Sequence, residues 1–377
     1  MTILIIARGI PDSTNAQWGS FEFDQAKALA DLGHHVIIAA VDSRFRWVNR
    51  KIGLTKRTIN TITTYNLFLC PSAILKVFSA RFKEAFKLWQ WQKMANIIAK
   101  HEGKIDIIYT HYLFNTYYAT KTLNRFNAPI VAIEHWSELN KEPLNERVLR
   151  MANYAYPKVT KLLTVSKPLQ ERIHQLFGIQ AEVVHNMLGS EFTYAPDNTP
   201  HPFTLVCVGS LLPVKNHKLL IQALHQLQLD KPWQLLIIGE GPERSALQQQ
   251  INKASLQEQI HLLGLKNKAQ IAEILHHCDV FVLPSISENF SVAVLEALAC
   301  GLPVIASITG GIRECIDNSN GLLFEVNDVD GLAKAINHMF LHLTEYDRQA
   351  IAENCQKQFS APVIAQQLTT IFQQCLQ

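Results

Sequence analysis

Two glutamates, a lysine and two histidines in this 377-residue chain are of types, and at spacings, that can do chemistry. Glu288 and Glu296 stand about 12 Å apart if the segment between them is helical at 1.5 Å per residue. Two carboxylates so placed can reach different parts of one extended ligand, each accepting paired hydrogen bonds from sugar or ribose hydroxyls. Lys215 follows a glycine turn, Val208-Gly209-Ser210-Leu211, where bare backbone and an ammonium can meet phosphate oxygens. His111 and His135 each follow a short apolar run, in Tyr109-Thr110-His111 and Ile133-Glu134-His135. A neutral imidazole there can hydrogen-bond a sugar hydroxyl. No His/Cys cluster has the spacing of a metal site, and no metal is expected.

Those side chains need elements to position them. Thr2 to Ile10 is an apolar run, followed by a helical pattern from Gly19 to Leu32 and a second apolar run at His35 to Val41. Such a strand, helix, strand unit builds parallel sheets. Further strands are expected around residues 105–110, 129–133, 162–165 and 181–184. Tyr194 to Pro202 carries three prolines and little apolar content, which marks a linker. The alternation then restarts, with apolar runs at 203–209, 233–239, 260–263, 280–284, 303–306 and 322–326. The pattern predicts two doubly wound α/β domains, 1–193 and 203–360, joined by the linker 194–202. A C-terminal helix over 361–377 is expected to pack back on the first domain. Ligands of such folds bind at the carboxyl ends of the strands, here expected in a cleft between the domains. Glu288 falls in a loop before a helix predicted from Ser291 to Ala299, whose unpaired N–H groups and positive dipole end suit a diphosphate.

The run from Glu288-Asn289-Phe290-Ser291 through Glu296-Ala297-Leu298-Ala299-Cys300-Gly301-Leu302-Pro303-Val304-Ile305-Ala306 resembles a signature of the retaining glycosyltransferases of family 4. That signature is E-x-F-[GS]-x-x-x-x-E-A-x-A-x-G-x-P-V-[IV]-A, and the family has the GT-B fold of two Rossmann-like domains. Val208-Gly209-Ser210-Leu211 with Lys215-Asn216, Ile238-Gly239-Glu240-Gly241-Pro242-Glu243, Leu263-Gly264-Leu265 and Gly310-Gly311 resemble other family segments in the same order. The resemblance implies that Glu296 holds the ribose and Glu288 the transferring sugar. It places Asn289, Phe290, Ser291 and Val292 against the donor, Gly209, Ser210 and Lys215 at the phosphates, and Gly264 and Leu265 at the base. Ser210 stands where the family commonly has arginine, so more of the phosphate charge falls to Lys215.

In the first half, Gly19 is similar to the family's glycine loop, although Trp18-Gly19-Ser20 replaces the commoner double glycine. Ile133-Glu134-His135-Trp136-Ser137 resembles T-E-H-x-S, which makes His135 a sugar contact or participant in catalysis and leaves His111 on the acceptor side. The implied reaction moves a hexosyl or N-acetylhexosaminyl group from a UDP- or GDP-sugar, with retention and no cofactor. The implied acceptor is a glycan or a lipid-linked molecule, in cell-envelope polysaccharide or glycolipid synthesis. An epimerase or phosphorylase on the same fold, or a non-catalytic sugar-binding protein, remains open. A dehydrogenase is disfavoured, because no G-x-G-x-x-G follows a strand with an acid placed for the ribose.

Composition bounds the rest. Seven scattered cysteines without a C-x-x-C pair argue against a disulfide framework and for a reducing compartment. No apolar stretch approaches the ~20 residues a spanning helix requires. A cytoplasmic protein is expected, at most attached to the inner face of the plasma membrane. Residues 1–195 hold 24 Lys and Arg against 15 Asp and Glu, and the remainder 11 against 17. The basic half can attract phosphate-rich partners; lipid headgroups are favoured over nucleic acid. Two stretches could meet an anionic membrane. One is 44–57, with Arg44, Arg46, Arg50, Lys51, Lys56 and Arg57. The other is 74–93, where an amphipathic helix from Ile74 to Trp89 is expected to gather Phe78, Phe82, Phe86 and Trp89 on one face and Lys76, Lys83 and Lys87 opposite.

Overall fold

A computed structural model describes residues 1–11, 18–44, 51–196, 199–227 and 229–377. It divides into two compact units, Met1–Val184 with Ile364–Gln377, and His185–Val363. The division falls at Val184, ahead of the expected linker 194–202, which lies within the second unit; Asp197 and Asn198 are outside the described residues. Hydrogen bonds explain the shift. Leu188 N donates to Phe359 O, Asn186 Nδ2 to Phe290 O and Gln356 Nε2 to Phe192 O, which ties residues 186–192 to the second unit.

The first unit has an eight-stranded sheet in the order β3-β4-β2-β1-β5-β6-β7-β8. Its strands are β1 (Thr2–Ala7), β2 (His35–Val41), β3 (Gly53–Ile59), β4 (Ile62–Phe68), β5 (Ile107–His111), β6 (Ile130–Glu134), β7 (Lys161–Thr164) and β8 (Glu182–Val183). Its helices are α1 (Ser20–Asp31), α2 (Ala80–His101), α3 (Tyr112–Thr122), α4 (Glu146–Ala155) and α5 (Lys167–Phe177). β1 is buried almost throughout, as a central parallel strand covered on both faces must be. The antiparallel β3–β4 hairpin is an addition that the sequence reading lacked. Its Thr55-Lys56-Arg57-Thr58 segment presents no continuous apolar run.

The second unit has a six-stranded parallel sheet, ordered β11-β10-β9-β12-β13-β14. The strands are β9 (Phe203–Val208), β10 (Trp233–Ile238), β11 (Ile260–Gly264), β12 (Val280–Leu283), β13 (Val304–Ser307) and β14 (Gly321–Phe324). The helices are α6 (His217–Gln226), α7 (Arg244–Lys253), α8 (Lys268–His276), α9 (Val292–Ala299), α10 (Val329–His342) and α11 (Arg348–Phe359). Leu205, Leu220, Leu235, Val282 and Ile336 form the heart of its core. Both units are doubly wound α/β, the class expected. The last helix, α12 (Ala361–Gln374), contributes its residues from Ile364 onward to the first unit. There Phe372 packs on Tyr109 and Thr369 Oγ1 pairs with His34 Nε2 at 2.9 Å.

The amphipathic helix expected from Ile74 to Trp89 is broken. Ile74–Val77 is one 3-10 turn, Phe78 is extended, and the Ser79 hydroxyl caps a new helix by accepting from Phe82 N. The faces differ from the expectation as well. Ile74, Val77, Phe78, Phe82 and Trp89 are exposed, whereas Trp91, Met94 and Ile98 are buried. Phe78, Phe82, Phe86 and Trp89 stack in a row, with successive ring centroids 4.6, 6.2 and 5.8 Å apart. Lys87 turns inward and donates to Val41 O at 2.8 Å. Of the second basic stretch, Arg46 and Arg50 lie outside the described residues, Arg44 is bonded to Asp42, and Lys56 to Glu102. Fewer of these cations are free to meet a membrane than the sequence implies.

Candidate functional site

In the second unit β9 and β12 are neighbours although three helices and two strands separate them in sequence. The carboxyl edge between them is therefore the topological switch point, where doubly wound sheets open a crevice for ligands. Lys215 arrives there from the 3-10 turn after β9, and Glu288 from the loop after β12. Lys215 Nζ donates to Glu288 Oε1 at 2.6 Å, and Ser285 Oγ to the same oxygen at 2.7 Å. The ammonium has three donors, so bonding to Glu288 leaves it able to bind phosphate oxygens. Thr309, after β13, supports the loop by accepting from Glu288 N and donating to Ile286 O. Gly310 is required beside it: φ is 51°, and a Cβ would collide with the Glu288 carbonyl oxygen.

Val292 begins α9 behind an N-cap, Ser291, whose side chain makes no capping bond. The first-turn N–H groups thus keep the anion-binding character of a helix start. Glu296 lies farther along α9 and is partly exposed. Gly209 and the exposed Ser210 end β9, and Gly264 and Leu265 end β11, so these predicted donor residues share one carboxyl edge. Phe290 is the exception in role. Its ring is buried, stacked on His185 at 4.6 Å and packed on Phe359, so it anchors the loop and offers a ligand only its backbone. The sequence also holds Asp328-Val329-Asp330, but Asp328 is spent on capping α10 through Gly331 N. No metal-binding cluster occurs among the described residues.

In the first unit the switch point lies between β1 and β5. Gly19, at φ 78°, brings the start of α1 against the Gly9 carbonyl, where a Cβ would collide. His111 and His135 meet: Nδ1 of the first lies 3.2 Å from Nε2 of the second, and the rings are parallel, 5.3 Å apart. Burial, reinforced by the positive charge of Arg8, pulls His111 down to about 3, so it stays neutral. His111 is wholly buried, which removes it as a direct acceptor contact; His135 is the partly exposed member and His111 its support. Phe21 packs edge-on against His135 at 4.9 Å.

Three residues of this site were not singled out from the sequence. Glu134, buried at the end of β6, accepts from the backbone N–H groups of Leu113, His135 and Trp136 and from the Tyr156 hydroxyl, at 2.7 to 2.9 Å. Burial raises it to about 7, against the downward pull of those four donors. It fixes the backbone on which His135 stands. Tyr112 adopts φ 68°, rare for a bulky residue, and its ring lies between the Arg8 guanidinium at 4.2 Å and His135 at 5.0 Å. Arg8 is held by Glu22, Nε to Oε1 2.8 Å. The available signals were an acid and a base breaking apolar strand ends; nothing in the sequence marks the strained Tyr112.

Residues 23–188 match the family model described as "Glycosyltransferase Family 4", and residues 195–358 the one described as "Glycosyl transferases group 1". An uncharacterized glycosyltransferase of Methanocaldococcus jannaschii is 30% identical over 272 residues, 71% of this chain and 74% of that protein. The N-acetyl-alpha-D-glucosaminyl L-malate synthase of Bacillus anthracis is 25% identical over 367 residues, 92% and 91% of the two chains. Among solved structures, the sucrose-phosphate synthase of Thermosynechococcus elongatus superposes with a TM-score of 0.80 at 22% identity, covering 99% of this chain and 98% of that one. That likeness gives the fold, GT-B. With consecutive family models along both halves, and a relative that it covers over most of its length, the chain belongs to the family 4, group 1 glycosyltransferases.

Proposed function

We propose that the chain transfers a hexosyl or N-acetylhexosaminyl group from a UDP- or GDP-sugar, with retention, to a hydroxyl of a glycan or lipid-linked acceptor in envelope polysaccharide or glycolipid synthesis. The observation that carries this reading is the Lys215–Glu288 pair at the switch point beside the start of α9. The bond from C1 to the diphosphate oxygen breaks, that from C1 to the acceptor oxygen forms, and the hydroxyl proton leaves with the diphosphate. Lys215 and the α9 amides stabilise the charge growing on that leaving group, a task that requires no metal. Glu288 orients the sugar, Glu296 holds the ribose, and His135 hydrogen-bonds a hydroxyl in the first unit's site.

A thermal-shift screen against UDP, GDP and ADP sugars identifies the donor, and proton NMR of the product reads the anomeric configuration. An inverted product would overturn retention; sugar interconversion without acceptor would favour an epimerase. Activity surviving EDTA is expected. Peripheral membrane contact is proposed on the exposed Phe78–Phe82–Trp89 row, an apolar face of the kind that enters a lipid interface. No helix among the described residues is long and apolar enough to cross a membrane. Phe82→Glu should abolish sedimentation with phosphatidylglycerol vesicles.

A further inference from the structure

Two asparagines of the second unit, both bent into the left-handed region, meet side chain to side chain. Asn216 has φ 53° and Asn327 φ 65°, and Asn216 Nδ2 donates to Asn327 Oδ1 at 3.0 Å across 111 residues of sequence. Glycine adopts such a backbone without strain, and asparagine tolerates it because its short polar side chain can hydrogen-bond. Here that bond joins two loops far apart in the chain. Asn216 is 5% exposed and directly follows Lys215, between the 3-10 turn Pro213–Lys215 and the start of α6. Asn327 stands between β14, the edge strand of the sheet, and α10. It precedes Asp328, whose carboxylate caps α10 through Gly331 N.

The turn that presents Lys215 is thus held at three consecutive residues. Ile286 N donates to Val214 O at 2.8 Å, which joins the turn to the Glu288 loop. The Lys215 ammonium ends on Glu288, and its stem runs beside Gly209, where an added Cβ would lie 3.5 Å from Cδ. The third hold is the asparagine pair, which reaches the turn from the far edge of the sheet. A long side chain delivers its charge accurately only where the backbone beneath it is fixed.

We propose that Asn216 and Asn327 form a positioning pair that aims Lys215 at the distal phosphate of the donor nucleotide. The assignment rests on the donor reading above. Neither asparagine is assigned a ligand contact: without their bond the turn shifts, and the ammonium shifts with it.

The test titrates the full chain calorimetrically with UDP, GDP, ADP and the matching monophosphates, and reads the diphosphate-over-monophosphate preference for the base bound most tightly. That ratio isolates the distal phosphate from base and ribose. Wild type should favour the diphosphate by at least about tenfold. Asn216→Gly and Asn327→Gly keep the left-handed backbone and remove the bond; each should cut the preference at least about threefold, and the double variant should cut it no further. Asn327→Asp, which keeps an acceptor oxygen and tolerates the same backbone, should retain it. A merely structural bond would weaken both nucleotides alike or change only the melting temperature. Full preference in either glycine variant, equal weakening of both nucleotides, losses that multiply in the double variant, or a preference lost in Asn327→Asp therefore overturns the positioning role. A wild type that binds none of the diphosphates, or shows no preference for them, takes down the donor reading and the pair with it. A wild type with the preference and variants that keep it takes down the pair alone.

Discussion

At the residue scale, chemistry is concentrated in pairs. Glu288 and Lys215 neutralise each other across the switch point, so removing one leaves the other poorly compensated in a mostly covered position. Glu288→Ala and Lys215→Ala should each lower kcat by about a hundredfold or more, the range seen when one preorganised transition-state contact is removed, with circular dichroism unchanged. Near-normal turnover in both variants would sink the donor assignment. Glu134→Gln places an amide nitrogen where an oxygen accepts N–H or O–H bonds, a loss of about 1–3 kcal/mol at a buried site, read as a lower melting temperature together with reduced kcat. For Lys87 the sign runs the other way. Burial lowers it from 10.5 to about 8, opposed by Asp42, with Arg8 and Tyr112 sharing its cavity. Between pH 8 and 10.5 the unfolded chain binds the extra proton, so the wild type gains stability as pH rises through that window, and below pH 8 the full penalty stands. Lys87→Met should therefore melt higher than wild type at pH 7 and lose that climb, as thermal melts taken between pH 7 and 10.5 would show. Glu288 and Glu296 could be singled out from the sequence because they lie eight residues apart, and Lys215 because it follows a glycine turn. Glu134 and Tyr112 were not, because their roles depend on the approach of β5, β6 and α3.

At the scale of elements, apolar runs located the parallel strands well, since a strand covered on both faces must be apolar throughout. His35 to Val41 coincides with β2. Two elements escaped for physical reasons. The β3–β4 hairpin carries four consecutive polar residues, Thr55-Lys56-Arg57-Thr58, and so shows neither an apolar run nor an alternation, and the Ile74 to Trp89 periodicity spans a break made by one capping serine. Ser79→Ala should cost about 1 kcal/mol and fray the start of α2, measurable as faster amide exchange at Phe82 and Lys83. The aromatic row shows why periodicity misleads here: amphipathic spacing identifies a face but not what that face meets, and this one meets solvent.

At the scale of the whole molecule, two units with separate cores should not melt as one two-state system. A donor nucleotide at a hundred times its Kd should raise the second unit's transition by about 2.7 kcal/mol and leave the first unit's in place, as differential scanning calorimetry can resolve. The two-unit plan was readable from alternating strands and helices, but the boundary was not, because long-range hydrogen bonds such as those of Asn186, Leu188 and Gln356, rather than prolines, fix it. The switch point sets a condition on biosynthesis as well. Lys215 and Glu288 join from 73 residues apart, with three strands and three helices between them. During translation the ribosome must release β12 before the phosphate grip exists, so a nascent chain has no means of engaging donor until its second sheet is nearly finished.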